Sequence, residues 1–252
     1  MAAWPWLSAA GALVGLLFGL FGVGGSSFAT PLLSLLGVPG LMAVASALPA
    51  TIPAALAGAY GYRRDGDIDW ATARRSVLGG FPATIAGALL SNVVGGPALL
   101  VASGVVLGVV GVRVLRPLSE AQQRAGAARR ERPGTVVAGA AGVGLFTGLL
   151  ANGGGFLLVP LFVVVLGLGI RKAAGTSLVV ISALAVPTLV THWALGHIDW
   201  MVAAAFAAGA IPAALVGSRL AQRLGGDALR LAFGWLLVGF ALYFVARLLV
   251  RS

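Results

Sequence analysis

The chain of 252 residues is 59% hydrophobic and only 10% charged, with a mean hydropathy of +1.01. A soluble body of this size could not cover its surface with so few charges, whereas a chain solvated by lipid needs none there. The net charge of +10 does not point to nucleic acid, because the basic residues sit between apolar stretches with no stripe of interleaved aromatics, where they act as a topology signal.

In chain order, Met1-Ala2-Ala3-Trp4-Pro5-Trp6 lacks the basic region of a signal peptide, so the first apolar stretch is expected to stay in the protein, with Trp4 and Trp6 as an interfacial anchor. Apolar stretches then follow at about Leu7–Val38, Leu41–Tyr62, Val77–Val94, Ala98–Leu115, Val136–Leu168, Ala173–Leu195, Met201–Leu220 and Leu231–Val250. Each is long enough to span a bilayer at about 1.5 Å per residue. The expected fold class is an all-α polytopic membrane protein.

The same pattern occurs twice. Gly15, Gly19, Gly22, Gly24-Gly25 and Pro31-Leu32 return 129 residues later as Gly144, Gly148, Ala151, Gly153-Gly154 and Pro160-Leu161. At an offset of 130, Gly66-Asp67-Ile68-Asp69-Trp70 returns as Gly196-His197-Ile198-Asp199-Trp200, and Pro82, Gly87, Gly95-Gly96 and Gly104 return as Pro212, Gly217, Gly225-Gly226 and Gly234. Chance in a glycine-rich chain would not supply the Ile-Asp-Trp triplet, the prolines and the double glycine in one register. Repeat 1 covers residues 1–115, a basic cytoplasmic linker 116–135, and repeat 2 residues 136–252.

Charge sets the orientation. If each opening segment crossed once, the 17 basic residues would divide twelve to five, with the second half biased the wrong way. If each opening segment instead breaks at its glycines and returns, the halves are inverted and the division is fifteen to two (Arg247 and Arg251). The expectation is therefore two inverted repeats, each a broken or re-entrant helix pair followed by three transmembrane helices, with both termini outside.

The breaks are the candidate substrate site: Gly24, Gly25, Ser26, Ser27 and Thr30 in the first half, and Asn152, Gly153, Gly154 and Gly155 in the second. Glycine lets a ligand approach the main chain, and a helix restarting near Pro31 or Pro160 presents free N–H groups and a partial positive charge to an anion. Two such starts meeting between inverted repeats form a transporter arrangement. Close helix packing is the competing reading, and it suits the small-xxx-small pairs Gly15/Gly19 and Gly144/Gly148. Ser46, with Thr176 and Ser177, reads equally as helix N-caps or as ligand contacts. Asp69 and Asp199 are expected to cap the helices that Trp70 and Trp200 anchor.

No acidic or basic residue falls in mid-span, so no carboxylate relay is expected. His192 and His197, five apart, do not share a helix face, His197 falls in a loop, and His192 reads as interfacial structure. The chain has no cysteine and no metalloprotease, nucleophile-elbow or Walker signature; no catalytic residue, metal or cofactor is assigned.

The glycine runs leading to Pro31-Leu32 and Pro160-Leu161, with Gly175-Thr176-Ser177-Leu178 and Gly196-His197-Ile198-Asp199-Trp200, resemble the TauE/SafE family from about Gly11 to Val250. The resemblance implies passage of sulfite or small sulfonates across a bacterial plasma (inner) membrane. Ala151 and Asn152 depart from the glycine pattern, so the two half-sites need not be equivalent. The expected function is a secondary transporter of a small anion, with the lipid bilayer as its solvent, working as an exporter driven by membrane potential or a proton gradient. The alternative from another class is a non-transporting membrane assembly partner. An embedded enzyme is poorly supported, and homo-oligomerisation is left open.

Overall fold

The computed structural model describes residues 4–24, 26–90, 108–117, 119–149 and 155–249. The glycines predicted at Gly25, Gly95-Gly96, Gly104, Gly153 and Gly154, together with Asn152, lie outside the described residues.

All the regular structure described is helical: α1 (Trp4–Phe21), α2 (Ser26–Leu35), α3 (Gly40–Arg64), α4 (Trp70–Leu90), α5 (108–115), α6 (Glu120–Glu131) and α7 (Pro133–Leu149). A 3₁₀ turn Gly155–Leu157, an α-helical piece Leu158–Pro160 and a π-helical piece Leu161–Val165 together form α8, followed by α9 (Ile170–Ala194), α10 (Trp200–Arg223) and α11 (Gly226–Leu249). Four of these, α1, α3, α9 and α10, are long and apolar enough to cross a membrane. Large apolar side chains face outward around the bundle, with Leu78, Leu89 and Trp235 each about two-thirds exposed or more (71%, 70% and 65%). That is the surface a chain solvated by lipid presents.

The sequence duplication is also a duplication of contacts. The helix bounds of α3 and α9 differ by 130 residues at both ends. Left-handed glycines close the equivalent turns, Gly37 (φ 86°) with Gly167 (φ 65°) and Gly66 (φ 73°) with Gly196 (φ 68°). A Cβ at Gly209 would strike the Ser8 carbonyl and one at Gly217 the Leu16 carbonyl; at Gly79 and Gly87 the obstacles are the Val137 and Leu145 carbonyls. These four contacts repeat at the sequence offset, and each joins one half to the other.

Helix direction follows from the register of such contacts. Along α1 and α10, Ser8 donates to the Ala205 carbonyl at 2.8 Å, Gly11 faces Phe206, Gly15 faces Ala210 and Gly19 faces Ala214, so the two run the same way. Helix α3 runs with them: Ala50, Thr51 and Ala54 lie against Val14, Phe18, Phe206 and Ala210, and farther on Gly58 meets Gly19 and Gly61 meets Ser218. Helices α4 and α7 run together from Gly79–Val137 to Gly87–Leu145, and α9 follows α4 from Thr176–Asp69 to Leu184–Gly80. The two sets oppose each other, since Gly58 meets Leu178 while Tyr62 meets the earlier Gly175.

The opening segments turn back on themselves. Phe21, at the end of α1, lies 5.7 Å from Phe233, and Phe28 lies 4.4 Å from Phe240, ring centre to ring centre. Seven residues of α11 separate these partners, a displacement of about 10 Å back along the bundle. In the second half, Leu161 of α8 reaches Gly139 near the start of α7, so that limb returns as well.

The predicted linker is mostly helix α6, started by a Ser119–Gln122 capping box. It docks on the first Ile-Asp-Trp turn through Arg130–Asp69 (3.7 Å) and Arg75, which donates to the Arg130 carbonyl at 2.9 Å. Residues 133–135 already belong to α7.

Because Gly15 has the Ala210 backbone where a Cβ would stand, Gly15→Leu is expected to cost about 3 kcal/mol by overpacking. Gly142, with nothing within 4 Å, should accept leucine within experimental error. Thermal unfolding of the purified variants measures both.

Candidate functional site

A helix that ends inside a bundle leaves its last carbonyls without intrahelical partners, and inside a membrane no water replaces them. At the first glycine break the protein supplies the donors itself. The buried Tyr62 hydroxyl shares its one proton between the carbonyls of Gly19 at 3.0 Å and Leu20 at 2.8 Å. Ser177, fully buried, donates to the Gly22 carbonyl at 2.8 Å. Gly22 itself has φ 67° and lies against the Ala174 backbone, where a Cβ would collide. This position requires glycine twice over, for its left-handed angle and for the close approach.

The predicted residues therefore divide. Gly24 is buried in the break, Ser26 and Ser27 form the first turn of α2, Thr30 is half-buried one turn later, and Gly155 opens the 3₁₀ turn of α8. Gly25, Asn152, Gly153 and Gly154 are among the undescribed positions already named. Ser46, Thr176 and Ser177 tie the halves together. Thr176 Oγ1 accepts from the Asp69 N–H at 2.9 Å, and Ser46 Oγ accepts from the Asp199 N–H at 2.9 Å. Both donors and both acceptors are related by the 130-residue offset, so each half clamps the aspartate turn of the other.

One expectation needs correction, and one contact was not foreseen. Ser46 and Thr176 are not N-caps: α3 begins at Gly40 after Pro39, and α9 at Ile170 after Gly169, placing both residues in the second helical turn. The capping role belongs to the aspartates, as expected. Asp69 accepts from Thr72 N–H at 2.9 Å, and Asp199 accepts from Met201 and Val202 N–H at 2.9 and 3.1 Å. The histidines do meet. Helix α9 stops at Ala194, Gly196 turns the chain back, and His197 N–H bonds to the His192 carbonyl, bringing the Nδ1 atoms to 3.2 Å. A five-residue spacing on an uninterrupted helix would have separated them.

Tyr62 was missed by the sequence reading. The repeat offset places His192 at its equivalent position, so the pair differs in kind between halves, and only a wheel placing Tyr62 on the inner face of α3 would have singled it out. Among the described residues no group of three or more metal-ligating side chains occurs.

With this geometry in place, comparison with known proteins is informative. The family model described as "Sulfite exporter TauE/SafE" matches residues 7–244. Proteins named "Probable membrane transporter protein" from Xylella fastidiosa strains Temecula1 and 9a5c are each 30% identical over 250 residues, covering 94% of this chain and 93% of theirs. "Probable membrane transporter protein YjnA" of Bacillus subtilis strain 168 is 27% identical over 228 residues, covering 84% of this chain and 88% of its own. No solved structure matches the chain. The chain belongs to the TauE/SafE family, a family of membrane transporters.

Removing the donors should expose the cost of the break. Tyr62→Phe and Ser177→Ala are each expected to lose about 1–3 kcal/mol by leaving buried carbonyls unpaired. Chemical denaturation in detergent, with the double variant for coupling, checks this.

Proposed function

We propose that this member of the TauE/SafE family is a secondary transporter that carries a small oxyanion, sulfite or a small organosulfonate, out of the bacterial cytoplasm across the inner membrane. The observation that carries the reading is the reversal of the chain at the first glycine break, from Phe21 on Phe233 back to Phe28 on Phe240. In support, a helix end is held within the bundle by Tyr62 and Ser177 and is followed by a fresh helix start at Ser26, whose free N–H groups serve the anion in this reading.

The two halves are inverted repeats in this reading. The support is directional: α3 and α9 are equivalent in sequence yet antiparallel, so a twofold relating them lies across the helices and within the plane of a membrane they span. An odd number of net crossings per half also gathers fifteen of the 17 basic residues on the linker side. Gly24, Gly25 and Thr30 from one half and Asn152 to Gly155 from the other then approach one central site. In this reading Ser177, bonded to the Gly22 carbonyl, borders it, while Ser46 and Thr176 hold the two aspartate turns at opposite ends of the bundle.

Energetics favour outward movement. With the cytoplasm negative, each negative charge leaving it gains about 2.3 kcal/mol per 100 mV. A site of backbone dipoles and hydroxyls without a fixed cation binds weakly, which suits flux.

Purified protein in liposomes should give saturable efflux of labelled sulfite that follows an imposed potential, competed by taurine or sulfoacetate. A Gly25→Leu variant that still folds should lose at least about tenfold of that flux, the factor that about 1.4 kcal/mol of lost binding produces. Absence of flux for every one of these anions from folded protein would overturn the sulfite and sulfonate assignment, and would bring first another substrate and then an assembly role to the front.

A further inference from the structure

On the linker side a cavity of about 390 Å³ opens between the end of α5, the turn from α8 to α9 and the start of α11. It is far larger than one water, whose share of liquid volume is about 30 Å³. Among the described residues Arg113, Arg116 and Arg230 line it, against a single carboxylate, Asp227. Arg230 is already committed: it donates to the carbonyls of Val114 and Leu115 at 3.3 and 3.0 Å, closing the end of α5, and pairs with Asp227 at 3.3 Å. Arg113 is half-buried and Arg116 exposed, and neither has a carboxylate partner among the described residues. Two positive charges thus face the cavity uncompensated.

The topology signal accounts for basic residues on this side, and a helix C-terminus accounts for two arginines in its last turn. Neither accounts for a cavity behind α8, the returning limb of the second glycine break. The wall there is the π-helical piece Leu161–Val165 and the left-handed Gly167; such π segments recur at functional sites. The charge is also one-sided, since Tyr243 and Ala246 stand at the repeat equivalents of Arg113 and Arg116.

We propose that this cavity is a loading vestibule in which Arg113 and Arg116 hold a small oxyanion on the linker side before it passes to the glycine breaks. The inference rests on the anion-transport reading for the class of ligand. Guanidinium groups match the geometry of sulfite and sulfonate oxygens and remain charged at every physiological pH. An exporter working against a dilute cytoplasmic pool gains from such a collecting site, because local positive potential raises the encounter rate.

The test compares wild type with Arg113→Gln/Arg116→Gln in liposomes, measuring the KM for sulfite from each face. Losing charge-assisted hydrogen bonds should raise the linker-side KM about tenfold or more, leave the maximal rate within about twofold, and leave the opposite-face KM unchanged. The salt dependence of the linker-side KM should flatten, and Arg113→Lys/Arg116→Lys should restore part of it. An unchanged linker-side KM in a variant with wild-type unfolding temperature would overturn the vestibule. So would a defect confined to liposomes containing phosphatidylglycerol and absent from phosphatidylcholine, because the cavity would then hold a lipid phosphate. If wild type carries no sulfite, the sulfite assignment falls by itself, and equilibrium binding of sulfite to the purified protein decides the vestibule: weaker binding by the glutamine variant supports it, and equal binding overturns it.

Discussion

The structure depends on how a helix can end where there is no water. Helix α1 stops at Phe21 inside the bundle, and the carbonyls of Gly19, Leu20 and Gly22 would each be orphaned there. Tyr62 from α3 and Ser177 from α9 supply the missing donors. One donor comes from each half, so the first break draws on both. Gly22 completes the arrangement by turning left-handed against Ala174, a place no side chain fits.

The same logic explains the glycine seams. Lipid gives little hydrophobic reward for burying one apolar helix against another, so association rests on close backbone approach and on hydrogen bonds. Gly11, Gly15 and Gly19 set α1 on α10, while Gly79 and Gly87 set α4 on α7. Both seams join opposite halves, and the reciprocal bonds Ser46–Asp199 and Thr176–Asp69 lock the turns between them. The result is two interlocked sets of parallel helices meeting along α3 and α9.

Much of this was legible in the sequence, because a duplication writes itself twice. The 130-residue register located α3 and α9 and the capping aspartates, and the first glycine cluster located the end of α1. The parts that were not legible depend on contacts between distant segments. Nothing local to Tyr62 says that its hydroxyl reaches 42 residues back to a helix end. Ser46 and Thr176 looked like caps because small hydroxyl residues favour that position, and only the actual starts at Gly40 and Ile170 move them into the helix interior, where their partners lie in the other half. The histidine contact was hidden for a related reason: with His197 expected in a loop beyond the helix, nothing local says that Gly196 folds it back onto His192.

The central claim is that the two halves face opposite ways across the membrane, so that the turns at Gly66 and Gly196, alike in sequence and in backbone angle, lie on opposite sides. The chain has no cysteine of its own, which makes the measurement direct. Gly66→Cys and Gly196→Cys, introduced singly, are labelled in intact cells with a membrane-impermeant thiol reagent. The account predicts labelling at position 196 from outside and at position 66 only after the membrane is opened. Labelling of both positions from the same face would contradict it.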